Sequence, residues 1–372
     1  MMRELGFVED YIHLFMGACP SDPAPAGGHG MGEILSGLPG GMMIPNRGYA
    51  ELIRLGLAGV LDYDMDLPPE ACLVKVSRPH DLNSLARAFD MCPLVLGSLL
   101  ESGRKAYRVF TIPKKSGGRR TVEAPCKPLA EFQRKFLDMV VYHKSIPHEA
   151  AHGFVPGRST RTCAVPHAGK RTVVKMDLKD FFPSVSRRMV WRGLWRCVDA
   201  SNVKWIGAAL ELCLLDGRLP QGSPASPALS NLAMYAFDEN LSRAAIRLDA
   251  SYTRYADDIT MSWDWKECGK LMGVAGGLAS RHGLVVNRKK TTVMARGGAQ
   301  RVVGLSVVEK GRATVPKWRR RKIRAALHNA ITKGGGDMMK LSGEVAYIDG
   351  ADKAQGSWFK RKLAELKEAR RG

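Results

Sequence analysis

The sequence predicts an α+β fold in which helices pack on an antiparallel sheet. Two observations lead to this prediction. Short segments rich in β-branched and apolar residues come in pairs around turn residues, as in β-hairpins, and the helical segments between them do not alternate regularly with single strands. In addition, no unit of about 20–50 residues repeats along the chain, which argues against a solenoid or a propeller.

The first 80 residues are predicted to form an acidic extension. The spacing of apolar residues predicts helices over residues 8–15 and 49–61. Between them, residues 17–45 are rich in Gly, Pro and Met and poor in β-branched residues, a composition typical of a flexible linker.

Strands and helices follow each other closely from residue 81 onwards. Asp81 is a candidate N-cap for a helix over residues 82–89, and a second helix is expected over residues 93–101. As a helix-turn-helix this pair would lack the basic residues of a DNA-recognition helix. Strands are predicted at residues 107–113, 121–124, 172–176, 251–255, 259–262, 302–308 and 313–315. Further helices are predicted at residues 129–142, 203–215, 226–248, 266–282, 318–332 and 358–370.

Charge is the unusual feature of the composition. The chain has 57 Lys and Arg against 36 Asp and Glu, a formal net charge of +21. Its first 70 residues hold three basic and ten acidic residues, whereas residues 288–324 hold thirteen basic and one acidic. This distribution favours a polyanionic partner, most often nucleic acid, bound by the chain after residue 70. A basic protein without a catalytic role remains compatible with these numbers.

The cysteines and the apolar segments indicate the compartment. Eight cysteines are scattered singly, with neither a C-x-x-C pair nor a zinc-type Cys/His spacing. The N-terminus is acidic rather than basic, unlike a secretory signal, and no run of about 18 apolar residues is present. We therefore expect a cytoplasmic protein without a membrane partner.

Three carboxylates are the first candidates for chemistry. Asp177 ends an apolar strand, and Asp257 and Asp258 lie at the tip of a predicted hairpin. Carboxylates at such short range raise each other's pKa unless a cation neutralises them, and Mg²⁺ prefers oxygen ligands of this kind. The alternative is that two adjacent aspartates form only a favourable turn pair, and for Asp257–Asp258 taken alone that alternative stays open.

Several other motifs surround the three aspartates in a fixed order. They are residues 112–120 (IPKKSGGRR), 124–125 (AP), 133–134 (QR), 153–154 (GF), 157–159 (GRS), 175–184 (KMDLKDFFPS), 219–231 (LPQGSPASPALSN), 254–258 (RYADD), 287–291 (NRKKT) and 303–304 (VG). In this order the chain closely resembles a bacterial retron-type reverse transcriptase over about residues 80–330. The resemblance implies a right-hand polymerase with fingers, a palm built on an antiparallel sheet, and a small helical thumb. It divides the chain into an N-terminal extension (1–80), fingers and palm (81–300), and the end of the palm with a basic thumb (301–372).

The resemblance also implies roles for individual residues. Asp177, Asp257 and Asp258 match the catalytic, metal-binding carboxylates, with Asp258 the more peripheral. Six further residues match positions that hold the nucleotide and the primer end: Lys114, Arg120, Phe182, Gln221, Gly222 and Lys290. Lys114 and Arg120 would bind the triphosphate, Phe182 would crowd a ribose 2′-OH, Gln221 and Gly222 would support the template base pair, and Lys290, with Lys289 as the alternative, would hold the active-site charge. RNA is expected on the basic thumb helix, at Arg319, Arg320, Arg321 and Lys322.

The implied activity is RNA-directed DNA synthesis with two Mg²⁺ ions, for which Mn²⁺ is an alternative, and dNTP substrates. The implied partners are a structured non-coding RNA template, the nascent cDNA and an effector protein of an anti-phage defence system. Two motifs depart from the retron pattern: residues 163–167 (CAVPH) have Cys163 in place of Asn, and residues 302–304 (VVG) have Val303 in place of Thr. A related defence-associated enzyme fits nearly as well. The alternatives are a group II intron-like reverse transcriptase and a non-catalytic RNA-binding protein built on a polymerase scaffold.

Overall fold

A computed structural model describes residues 79–114, 117–141, 147–196, 203–265 and 269–370. The predicted helices 8–15 and 49–61 and the predicted linker 17–45 lie outside these residues, as does nearly all of the expected extension 1–80. Within the described ranges, no helix is both long enough and apolar enough to cross a membrane.

The elements follow each other in mixed order along the chain. The strands are β1 (Tyr107–Pro113), β2 (Arg119–Pro125), β3 (Thr172–Asp177), β4 (Ser251–Tyr255), β5 (Asp258–Trp263), β6 (Thr292–Ala295), β7 (Arg301–Val302) and β8 (Leu305–Ser306). The helices are α1 (Pro79–Ala88), α2 (Pro93–Ser102), α3 (Lys127–Phe136), α4 (Thr160–Ala164), α5 (Phe181–Ser184), α6 (Arg187–Trp195), α7 (Val203–Glu211), α8 (Ser226–Ala233), α9 (Tyr235–Arg247), α10 (Gly269–Arg281), α11 (Lys317–Thr332), α12 (Met338–Ala351) and α13 (Lys353–Ala369). This content confirms the predicted α+β class.

The chain divides into two compact units. The described residues within Asp64–Ser145 and Val185–Leu229 form the first unit, and those within Ile146–Ser184 and Ser230–Gly372 form the second. The predicted boundaries at residues 80 and 300 stay predictions.

The first unit is built on the hairpin of β1 and β2, which pair from Tyr107 with Pro125 to Pro113 with Arg119. The hairpin is buried towards its open end, where Tyr107 of β1 and Glu123 of β2 lie in the interior, and exposed towards its turn. Helix α3 presents Leu129, Phe132 and Phe136 to the core, at helical spacing.

The second unit is built on an antiparallel sheet in the order β4-β5-β3-β6. Strands β3 and β5 are its centre and carry fully buried apolar residues, among them Val173, Val174, Ile259 and Met261. Helices α11, α12 and α13 surround a second apolar cluster, which includes Ile323, Val345 and Phe359 as well as Val302 and Leu305 of β7 and β8. Burial of this apolar surface stabilises both the sheet and the group of three helices.

Four predicted elements differ from the structure. Helix α1 begins at Pro79, so Asp81 lies inside its first turn and is not an N-cap. The predicted strand 302–308 is wrong: Val303 and Gly304 have φ of 42° and 86° and form a tight turn between β7 and β8. The predicted strand 313–315 contributes only an isolated bridge between Ser306 and Thr314. The predicted helix 226–248 is interrupted at residue 234, between α8 and α9.

Candidate active site

The sheet of the second unit brings the three aspartates together. Asp177 at the end of β3 pairs directly with Asp258 at the start of β5. Asp257 precedes Asp258 in the hairpin loop, and its carbonyl accepts a hydrogen bond from the backbone N–H of Leu178 (3.1 Å). The strand register therefore places all three carboxylates at one end of the two central strands.

Basic and polar side chains neutralise two of these carboxylates. Lys290 donates to both oxygens of Asp177, with Nζ at 2.9 and 3.1 Å, and Asn287 Nδ2 lies 3.2 Å from Asp177 Oδ2. Asp258 forms an ion pair with Lys175 of β3 at 3.5 Å. The hydrogen bonds with Asp177 raise the pKa of Lys290 above its ordinary value.

Asp257 is in a different electrostatic environment. Burial raises the pKa of its carboxyl, and the charges of Asp258 and Asp177 add to the rise, whereas its own backbone N–H and Lys290 oppose it. Among the described residues, no cationic side chain forms a salt bridge with Asp257. A bound cation would therefore relieve more unfavourable charge at Asp257 than at either neighbour.

The donor set fits a divalent ion in its chemistry. Carboxylate oxygens are the ligands that Mg²⁺ prefers. The ion pair of the Lys290 ammonium with Asp177 shows that this end of the strands already stabilises a positive charge. Within the ranges that the structure describes, however, no three His, Cys, Asp or Glu side chains form a cluster that could hold a metal ion.

Phe182 lies in the same unit, on the short helix α5 that follows Asp177. Its ring is 5.6 Å from that of Phe181 and 6.3 Å from that of Phe154, which in turn is 6.4 Å from the ring of Tyr255. Phe154 has a φ of 61°, a strained value for a bulky residue. The sequence marked Phe154 only as part of a motif; its place beside Phe182 becomes visible in the structure.

Lys114 and Arg120 belong to the first unit, at the turn end of the β1–β2 hairpin. Both side chains are exposed. The backbone N–H of Lys114 donates to the carbonyl of Gly118 (3.0 Å), and Arg120 pairs with Ile112. The hairpin thus presents cations to solvent, and their predicted contact with a triphosphate stays a prediction.

Gln221 and Gly222 are also in the first unit, on a loop fastened to β2. The N–H of Glu123 donates to the carbonyl of Gln221 (2.7 Å). Gly222 has a φ of 135°, and a Cβ there would lie 2.9 Å from the carbonyl oxygen of Glu123, so only glycine fits. Arg218 donates to both oxygens of the buried Glu123 carboxylate at 2.8 and 3.0 Å, and these hydrogen bonds lower the pKa of Glu123. Sequence reasoning missed this pair.

The four basic residues predicted on α11 divide into two kinds. Arg319 forms an ion pair with Glu344 (2.9 Å) and lies over the ring of Tyr347 at 4.1 Å. Arg320 Nε donates to the carbonyl of Val315 (3.0 Å). Arg321 and Lys322 are exposed. The geometry thus leaves Arg321 and Lys322 more available to a polyanion than Arg319 and Arg320.

The segment before β3, which departs from the retron pattern at Cys163, packs against strands β4 and β5. His167 is fully buried and is linked to Thr253 of β4 through Nε2 (2.8 Å) and to Ser262 of β5 through Nδ1 (2.7 Å). Cys163 Sγ lies 3.2 Å from the same Thr253 hydroxyl. Burial lowers the pKa of His167 to about 3.

Comparisons with known proteins agree with this geometry. The model of the family "Reverse transcriptase (RNA-dependent DNA polymerase)" matches residues 112–325. The retron Mx162 reverse transcriptase of Myxococcus xanthus is 38% identical over 297 residues, which cover 70% of this chain and 61% of that protein. The retron Ec73 reverse transcriptase of Escherichia coli is 34% identical over 262 residues, covering 65% of this chain and 82% of that protein.

Neither the sequence relatives nor the solved structures match this chain over their full length. The chain spans about three fifths of the length of the Myxococcus relative. A telomerase structure from Candida tropicalis overlaps 71% of this chain and 62% of its own at 11% identity, with a TM-score of 0.42, which is too low to add to the family assignment.

Proposed function

Because the chain belongs to the reverse transcriptase family, and to its retron type, we propose that it synthesises cDNA on a structured RNA template by two-metal nucleotidyl transfer. The observation that supports this most directly is the register of β3 and β5, which places Asp177 opposite Asp258 with Asp257 in the adjoining loop. A non-catalytic scaffold would have no need for three carboxylates at one end of two neighbouring strands, since like charges near each other repel.

Each residue of the site has a distinct task in this proposal. Mg²⁺, with Mn²⁺ as an alternative, would be held by Asp177 and Asp257 and would lower the barrier of phosphoryl displacement from both the attacking and the leaving side. Asp258, paired with Lys175, is the more peripheral carboxylate. Lys290 holds Asp177 in place through two charged hydrogen bonds.

Further residues would recognise the nucleotide and the template. Phe182 crowds a ribose 2′-OH and favours dNTPs. Lys114 and Arg120 supply positive charge for a triphosphate. The loop of Gln221 and Gly222 supports the template base pair. Exposed cations of α11 bind the RNA backbone.

The biological setting is part of the same proposal. The partners are a structured non-coding RNA, the nascent cDNA and an effector protein, in the cytoplasm and without a membrane, as part of a retron or anti-phage defence system. The names of the two retron relatives support the retron part of this setting.

Primer extension tests the activity. Wild-type protein should extend oligo(dT) on poly(rA) in Mg²⁺ or Mn²⁺, and Asp257→Asn should reduce the rate at least about a hundredfold, because an amide cannot supply the charge of a ligand carboxylate. Asp249→Asn is the matched control, since Asp249 is exposed and has a φ of 46° that asparagine also adopts. Activity retained in Asp257→Asn would contradict the catalytic assignment, and RNA binding without extension by the wild type would favour the non-catalytic alternative.

Sequencing of co-purified nucleic acid tests the setting. A discrete RNA joined to a short cDNA and encoded next to the gene is the expected result. Heterogeneous RNA would instead favour a group II intron-like enzyme.

A further inference from the structure

The loop that carries Asp257 has a backbone conformation that needs support. Tyr255 pairs with Asp258, so Ala256 and Asp257 form the whole hairpin loop. Ala256 has a φ of 57°. Two-residue loops with a positive φ at the first position normally have glycine there, because a side chain makes this conformation unfavourable.

A buried arginine provides the support. Arg254 Nη1 donates to the carbonyl of Ala256 (3.0 Å). Its Nε and Nη2 donate to the two oxygens of Asp238 on α9, at 2.8 and 2.6 Å, and the hydroxyl of Tyr252 donates to Asp238 as well (2.6 Å). Because the guanidinium is planar, this two-point contact fixes the direction in which Nη1 points.

The other side of the loop is closed by a glycine. A Cβ on Gly153 would lie 2.7 Å from the backbone nitrogen of Ala256. Asn231 Nδ2 donates to the carbonyl of Gly153 (2.8 Å). The backbone N–H of His152 donates to the carbonyl of Arg254 (2.8 Å). Ala256 is therefore held between the arginine and the Gly153 backbone.

Stability alone does not explain a buried ion pair of this kind. Arg254 and Asp238 are both 0% exposed, and apolar residues of similar volume are often as stable as a buried pair. Complete burial also prevents Arg254 from touching template, primer or nucleotide. Any effect of Arg254 on the reaction must act through the loop, whose Asp257 carbonyl is bonded to Leu178 next to Asp177.

We propose that Arg254 is a positioning residue: anchored by Asp238, it holds Ala256 in the left-handed conformation and thereby sets the Asp257 carboxylate beside Asp177. This inference rests on the proposed function, because it gives the loop a role in nucleotide addition.

Arg254→Lys is the first test. Lysine keeps the charge next to Asp238, but its single Nζ cannot make the two-point contact and also reach Ala256. We expect kcat for primer extension to fall at least about tenfold, while the KM for dTTP and the affinity for template–primer stay within about twofold. The amide of Leu178 should exchange with solvent faster, since its acceptor is the Asp257 carbonyl.

A second change in the same loop separates positioning from stability. Glycine adopts a positive φ unaided, so Ala256→Gly combined with Arg254→Lys should raise kcat at least about threefold over Arg254→Lys and slow the exchange of Leu178 again. The double variant Asp238→Leu/Arg254→Met repeats the loss of the arginine without leaving a buried charge. Arg281→Lys, an exposed arginine at the end of α10, is the control and should change nothing.

Two results would overturn the proposal. One is an unchanged kcat in both Arg254→Lys and Asp238→Leu/Arg254→Met. The other is a loss of kcat in Arg254→Lys that the added Ala256→Gly does not reverse, which would mean that Arg254 only stabilises the fold. If the wild type extends no primer, the proposed function fails, whereas the exchange of Leu178 still decides whether Arg254 holds the loop.

Discussion

His167 should make the stability of the second unit depend on pH. Burial lowers the pKa of its imidazole to about 3, with a further contribution from the charges of His152 and Lys170. In the unfolded chain the pKa is about 6.5. Above that value both states hold neutral histidine, so the group contributes nothing to the pH dependence. Below it the unfolded chain binds a proton that the folded chain does not, so stability falls as pH falls towards about 3.

The size of this effect follows from the same two values. Each pH unit below about 6.5 costs about 1.4 kcal/mol, so about 2 kcal/mol is lost from His167 alone at about pH 5. His167→Gln removes this loss, because a glutamine amide does not titrate. At about pH 8 the variant should be less stable by about 1 kcal/mol, since Gln cannot satisfy both Thr253 and Ser262 equally well.

Urea unfolding between about pH 8 and pH 5 measures the difference. The stability of wild type relative to His167→Gln should fall by about 2 kcal/mol over this range, so that the variant becomes the more stable protein at the acid end. His328→Gln, which changes an exposed histidine of α11, is the control and should follow the wild type. A difference between wild type and His167→Gln that stays constant with pH would refute the reasoning, because the buried ring would then titrate as it does in the unfolded chain.

Four further substitutions test other parts of the molecule. Gly222→Ala should destabilise the first unit by about 2 kcal/mol in urea unfolding, because its Cβ would lie 2.9 Å from the Glu123 carbonyl at a φ of 135°; unchanged stability would mean that the loop moves freely. Phe182→Ala should raise incorporation of rNTPs relative to dNTPs at least about tenfold in single-nucleotide extension, and an unchanged ratio would reject Phe182 as the sugar gate. Lys322→Glu should weaken RNA binding and lower the steepness of log affinity against log salt concentration by at least about one. Arg319→Gln should mainly lower the free energy of unfolding, by about 1 kcal/mol, because the Arg319 guanidinium is bound to Glu344 and Tyr347. Equal salt slopes for the two variants would contradict this division.

What could be predicted from the sequence follows from local patterns. Strand β3 was predicted from its β-branched residues and the β4–β5 hairpin from the turn at Asp257 and Asp258, and together they suggested the carboxylate site. The tight turn at Val303 and Gly304 was missed, because a β-branched residue indicates a strand and gives no sign that it will adopt a positive φ.

The contacts that support the site could not be predicted in this way. Arg254 and Asp238 lie on a strand and a helix, and Glu123 and Arg218 are 95 positions apart. No periodicity links such pairs, because they meet only after the elements that carry them have packed. The motif RYADD contained Arg254, but its partner and its bond to Ala256 depend on tertiary structure.

The sheet of the second unit ends at β6, a strand of only four residues, and this edge bears on solubility. An exposed strand edge can pair with the edge of another molecule and start aggregation, and natural proteins oppose this with short edge strands and charged side chains. Exposed Arg288 and Lys289 precede β6, and exposed Arg296 follows it. Two copies that approached each other through this edge would bring six cations together. The positive charge on both sides of β6 therefore opposes the pairing of this edge with the same edge of a second copy.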